Sequence, residues 1–130
     1  CDIGIANTYY MGIMLSNEKD PAQKEWANSA RIVFPSSEAM GTHVNISGML
    51  LAKNAPHKDN AVKLMTFLAS DEAQKLYAEG NFEYPVNPAV PASEIVQAWG
   101  SFTPDSINVA DVAKFEKAAA KLVDEVQFND

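Results

Sequence analysis

The chain has 130 residues, 47% hydrophobic and 21% charged, an ordinary folding composition of a length that suits one compact domain. Seventeen acidic residues against ten basic ones give a net charge of −7, which offers no basic footprint for nucleic acid and no polybasic membrane anchor. The longest purely apolar run, Met49-Leu50-Leu51-Ala52, falls far short of the roughly 18 residues of a spanning helix.

The first segment, Cys1-Asp2-Ile3-Gly4-Ile5-Ala6, alternates and predicts a buried strand with Ile3 and Ile5 on one face. A chain that opens in mid-element, without an initiator Met or a leader, is expected to be a piece of something longer. Cys1 has no second cysteine to pair with, so it is either free or bonded outside the chain. Asn7 and Thr8 follow as N-cap residues for a short apolar helix over 9–15, weakened by Gly12. A polar loop over 16–20 leads to Pro21, which suits a helix start, and to a short helix over 22–29. Arg31-Ile32-Val33-Phe34 predicts a second strand, and period-two alternation from Thr42, extended through Leu51, predicts a third.

Asp59 or Asn60 is placed to cap a helix whose apolar residues Ala61, Leu64, Met65 and Leu68 share one face. Ser70 caps the next, 71–79, with acids in its first turn and Gly80 as its stop. Three prolines at Pro85, Pro88 and Pro91 predict an extended connection. A short helix over 92–99 and a longer one over about 108–126 complete the chain, the latter striped by Val109, Val112, Phe115, Ala119, Leu122 and Val126. The class is α/β.

No enzyme signature emerges. The glycines are too scattered for a phosphate loop, Ser47-Gly48 lacks the rest of a nucleophile elbow, and Cys1 is poorly placed as a nucleophile. His43 and His57 have no ligand-spaced partner, so His43 is expected to be hydrogen-bonded and His57 solvated. One cluster stands out, Asn7-Thr8-Tyr9-Tyr10. Its ordinary reading is two aromatics at the start of an apolar helix, supplying buried area. Its sharper reading is a hard-metal site, because phenolate oxygen suits a small, highly charged cation such as Fe(III) better than Zn(II) or Cu(I). At a strand-to-helix junction adjacent side chains diverge by about 100°, so both phenols can lean over one point beyond the strand's carboxyl end. The Asn7 amide and the first-turn N–H groups would face an anion there.

Residues 1–10, Gly41-Thr42-His43-Val44-Asn45-Ile46-Ser47-Gly48, Asn60-Ala61-Val62-Lys63-Leu64, Ser70-Asp71-Glu72-Ala73-Gln74 and Glu83-Tyr84-Pro85-Val86-Asn87-Pro88 together resemble the periplasmic ferric-iron-binding proteins of ABC transporters. The resemblance implies a type II periplasmic solute-binding fold, a two-lobed α/β clamp, of which this chain would be a C-terminal fragment. It implies that Tyr9 and Tyr10 are metal ligands and that Asn7 contacts a synergistic anion, phosphate or carbonate. His43 matches a position that is not a ligand, and Met40 stands where relatives often carry a basic residue. The remaining ligands would lie in an N-terminal part upstream of residue 1. Residues 1–39 and 91–130 would belong to the C-terminal lobe and 40–90 to the N-terminal lobe, with crossings near 35–41 and 85–91. The implied partner is an inner-membrane permease, the implied location the periplasm, and the implied role binding rather than catalysis. Two rivals stand beside this reading. One is a binder of the same fold whose tyrosines stack on a polyamine, sugar or organic anion. The other is a non-catalytic α/β interaction domain with both tyrosines in its core.

Overall fold

The computed structural model describes residues 2–37 and 40–128, so Cys1 and the middle of the 35–41 segment lie outside the described residues. The chain forms two compact units, Cys1–Val33 with Gly48–Ser101, and Phe34–Ser47 with Phe102–Asp130.

In the first unit, α1 (Tyr9–Leu15) and α2 (Pro21–Ser29) pack as a helical hairpin. Asn17 organises the turn: its Oδ1 accepts from the N–H groups of Lys19 and Asp20, and its Nδ2 donates to Gln23 Oε1 at 3.0 Å. Asp20 then caps α2 by accepting from Ala22 N, with Pro21 in the first helical position. Next come α3 (Lys58–Leu68) and α4 (Asp71–Asn81). Ser70 caps α4 as expected, its hydroxyl accepting from Ala73 N at 3.3 Å. α3 starts at Lys58 with His57 in the cap position and no side-chain cap, so neither Asp59 nor Asn60 caps it. The stop of α4 also differs. The helix runs through Gly80 and ends at Phe82, which takes the left-handed conformation itself (φ 58°, ψ 31°).

The proline segment avoids helix and is tied back onto α4 by side chains. Val86 N donates to Gln74 Oε1 at 2.9 Å, and Asn87 Nδ2 donates to Asp71 Oδ1 at 2.6 Å. A turn over 87–90 interrupts its extension. Of the expected helix over 92–99, only α5 (Glu94–Gln97) forms, capped by Ser93. The buried apolar residues of this unit are small apart from one: Ala27, Ala73, Ala78, Val90, Val96 and Phe82.

The second unit holds α6 (Val109–Val112), a 3₁₀ turn (Ala113–Phe115) and α7 (Glu116–Glu125) in place of the single helix expected over 108–126. Lys114 pairs with Asp111 three residues back, a spacing that a 3₁₀ turn brings into eclipse. The apolar stripe has little to pack against, and Phe115, Leu122 and Val126 are exposed.

None of the three expected strands forms among the described residues. Thr42 makes one isolated parallel bridge to Pro104, with Thr42 N donating to Thr103 O at 2.8 Å and Asp105 N donating to Thr42 O at 2.9 Å. Gly41 permits it, because a Cβ there would collide with the Thr103 and Pro104 carbonyls. Residues 2–7, 31–34 and 43–51 are irregular, and Ile3 and Ile5 are 88% and 84% exposed rather than buried. A strand needs a neighbour to take its N–H and C=O groups, and these segments have no ladder beside them. No described helix is long and apolar enough to cross a membrane.

The two helix starts differ in a testable way. Ser70→Ala removes a formed cap and is expected to cost about 1 kcal/mol in urea unfolding. Thr8→Ala removes no cap hydrogen bond and is expected to shift the unfolding midpoint far less.

Candidate metal centre

The tyrosine pair sits on a helix that begins without help from its own sequence. Thr8 occupies the N-cap position in helical conformation (φ −62°, ψ −31°), so its hydroxyl makes no cap bond. Capping requires an extended residue whose side chain can fold back over the first turn. The first-turn N–H groups of Tyr10 and Met11 are taken instead by the carbonyls of Asn7 and Thr8, at 3.3 and 3.0 Å. Those two donors are therefore not free to face an anion.

Asn7, Tyr9 and Tyr10 nevertheless come together. The Asn7 amide nitrogen lies 3.5 Å from the Tyr9 hydroxyl, the outer limit for donation to it. The Tyr9 and Tyr10 rings stand 4.4 Å apart between centroids, tilted by 41°. Tyr9 is half-buried and Tyr10 is 52% exposed, so neither is enclosed within a core. A hydrogen bond with Tyr9, followed by repulsion from its phenolate charge, holds the Tyr10 phenol above its ordinary value near 10.0. Without a cation Tyr10 is thus a neutral phenol at physiological pH. A hard cation reverses the balance, since it stabilises both phenolates and replaces their mutual repulsion with shared attraction.

A residue that no sequence motif marks packs against α1 from outside it. Phe82, at the end of α4, is 7% exposed, and its ring lies on the backbone of the buried Gly12. An added Cβ at Gly12 would stand 2.6 and 2.7 Å from Phe82 Cβ and Cδ2.

The histidines play no part in this cluster. His43 makes the hydrogen bond expected of it, with Nδ1 at 2.8 Å from Asp105 Oδ2. A carboxylate can only accept, so the ring nitrogen is the donor. His57 is exposed at the head of α3. Among the described residues no three His, Cys, Asp or Glu side chains gather where they could hold a metal.

The family of bacterial extracellular solute-binding proteins matches residues 5–104. Iron uptake protein A2 of Synechocystis sp. is 42% identical over 127 residues, which are 96% of this chain and 36% of that protein. The ferric iron-binding protein A of Mannheimia haemolytica, solved in an open conformation, superposes with a TM-score of 0.84 at 54% identity, over 96% of this chain and 38% of its own. A Trichodesmium protein solved with iron and citrate ligands gives 0.84 at 43% identity, over 93% of this chain and 38% of its own. The chain therefore spans little more than a third of the length of these relatives. Its backbone follows theirs, so the α/β class, as part of a two-lobed type II solute-binding fold, stands even where strands are not formed.

The link between the two phenols can be read without metal. In Tyr9→Phe the acceptor and the neighbouring charge are both lost, so the Tyr10 ionisation midpoint is expected to fall toward its ordinary value. NMR of the Tyr10 ring carbons through an alkaline titration measures it, and an unmoved midpoint would mean that the two phenols are not paired.

Proposed function

Because the chain belongs to the bacterial extracellular solute-binding proteins, we propose that it is part of an ABC-importer component that captures Fe(III) through Tyr9 and Tyr10 and delivers it to a membrane permease. The observation that carries this reading is the adjacent, partly exposed tyrosine pair, with an asparagine amide beside it. Two hard oxygen donors of one type, side by side and with Tyr10 open to solvent, suit a trivalent cation. Relatives named for iron uptake and ferric binding support the same cargo.

Two phenolates leave most of a ferric coordination shell open. In this reading an anion held near Asn7 fills part of it, either phosphate or carbonate, or a carboxylate such as the citrate found with iron in the Trichodesmium relative. The remaining protein ligands come from residues outside this chain. The lobe assignment belongs to the same proposal, with 1–39 and 91–130 in one lobe and 40–90 in the other. The periplasm is where such a protein meets its permease. Binding is ligand exchange: closure completes the shell, and opening with phenolate protonation releases the ion.

Titration of the full-length protein with Fe(III) is expected to produce a visible phenolate-to-iron charge-transfer band. Tyr9→Phe and Tyr10→Phe should each diminish it, and the double variant should abolish it. Each phenolate formed expels one proton, so affinity should fall by about 100-fold for each unit of acidification below the phenol pKa values, and by about tenfold in either single variant. A band of wild-type intensity in both single variants would remove the tyrosines from the site.

A further inference from the structure

Two residues that local rules disfavour meet at one contact behind the tyrosine pair. Gly12 lies in the middle of α1, where glycine weakens a helix. Phe82 adopts the left-handed conformation at the end of α4, a region that bulky residues rarely enter. An inexpensive alternative was close at hand. Gly80 lies two residues earlier and would end the helix in that conformation without steric cost, yet α4 continues through it. Backbone strain of this kind persists only where the surroundings over-determine it.

The surroundings here are the Phe82 ring and the bare backbone of Gly12. The ring is nearly buried and lies where a Gly12 side chain would be. Ending α4 at Phe82 delivers that ring to α1, which packs on both α2 and α4. α1 has only seven residues and no side-chain cap, so its setting depends on such contacts more than on its own hydrogen bonds. Gly12 lies within one turn of both Tyr9 and Tyr10, so a displacement at the contact carries directly to the phenols.

We propose that the Gly12–Phe82 contact positions the tyrosine pair, making Phe82 a positioning residue that tunes metal binding from behind α1 without touching the metal. The proposal rests on the iron reading above. It deepens that reading by naming what sets the spacing and direction of the two donors. Phe82 then bears on the energy of the tyrosinate–iron bond as well as on stability.

The test compares Gly12→Ala, Phe82→Ala, Phe82→Gly and the Gly12→Ala/Phe82→Gly double variant in the full-length protein. The added methyl of Gly12→Ala pushes against the ring, so the charge-transfer band should shift and Fe(III) affinity should fall roughly ten- to hundredfold, as for other supports behind metal ligands. Phe82→Ala alone should shift the band by loosening α1. In the Gly12→Ala/Phe82→Gly double variant both the ring and the Cβ of residue 82 are gone and the methyl has room, so the band should return toward that of the wild type relative to Gly12→Ala. Phe82→Gly relieves the left-handed strain while deleting the ring, and is expected to disturb the band however its thermal stability changes. A Gly12→Ala protein that binds iron with the wild-type band and affinity would overturn the proposal, as would Phe82 variants that lose thermal stability with the band unmoved. The Tyr10 ionisation midpoint in the metal-free variants separates the two readings. If the wild type shows no iron band but Gly12→Ala still moves that midpoint, the iron reading fails and the positioning contact stands. If the wild-type band is present and neither band nor midpoint responds to any of these variants, the positioning claim fails alone.

Discussion

Phe82 is the one large aromatic side chain buried among the described residues, and its ring lies against Gly12 of α1. The other buried apolar residues there are alanines and valines, which let helices approach but fill little volume. One ring therefore decides how closely α1 can approach α4. It also explains why a glycine sits inside a short apolar helix, where propensity argues against one. The contact links residues distant in sequence and is made by a residue in a rare backbone conformation. The helix it packs against carries the only adjacent tyrosines of the chain.

The tyrosine pair departs from the ordinary reading of its pattern in its exposure. Two aromatics opening an apolar helix are usually core residues, and a buried Tyr9 and Tyr10 would have supported that reading. Instead the rings are tilted against each other with Tyr10 open to solvent, and its hydrogen bond with Tyr9 and the neighbouring charge raise the Tyr10 pKa. Each of these properties suits a cation supplied from outside. None suits packing. The second unit has a different character, with one bridge, one histidine–aspartate pair and helices whose apolar stripes are exposed.

Much of the helical skeleton was legible from local chemistry. The bounds of α1, the Pro21 start of α2, the Ser70 cap and the refusal of the proline segment to form helix all follow from side chains acting within a few residues. Misreadings arose wherever the outcome depended on distant partners. Ile3 and Ile5 have the alternation of a strand without a neighbouring ladder, and the period-two run after Thr42 pairs at a single residue. The 108–126 pattern is helical in period but divides where Asp111 and Lys114 tighten a turn. Thr8 has the right hydroxyl for a cap and the wrong backbone conformation to use it.

By itself the sequence determined the donor chemistry: two adjacent phenols and an amide within four residues, with neither a basic surface nor a catalytic set to compete for the role. That information is local, because hardness and charge belong to side-chain types and adjacency belongs to the chain. Tertiary structure alone decided that Tyr10 faces solvent, that Tyr9 raises the pKa of the Tyr10 phenol, and that α4 passes over a permissive glycine to end on Phe82. The physical reason is that exposure, coupling and backbone strain are set by what packs against a residue, and for α1 that residue lies at the far end of α4.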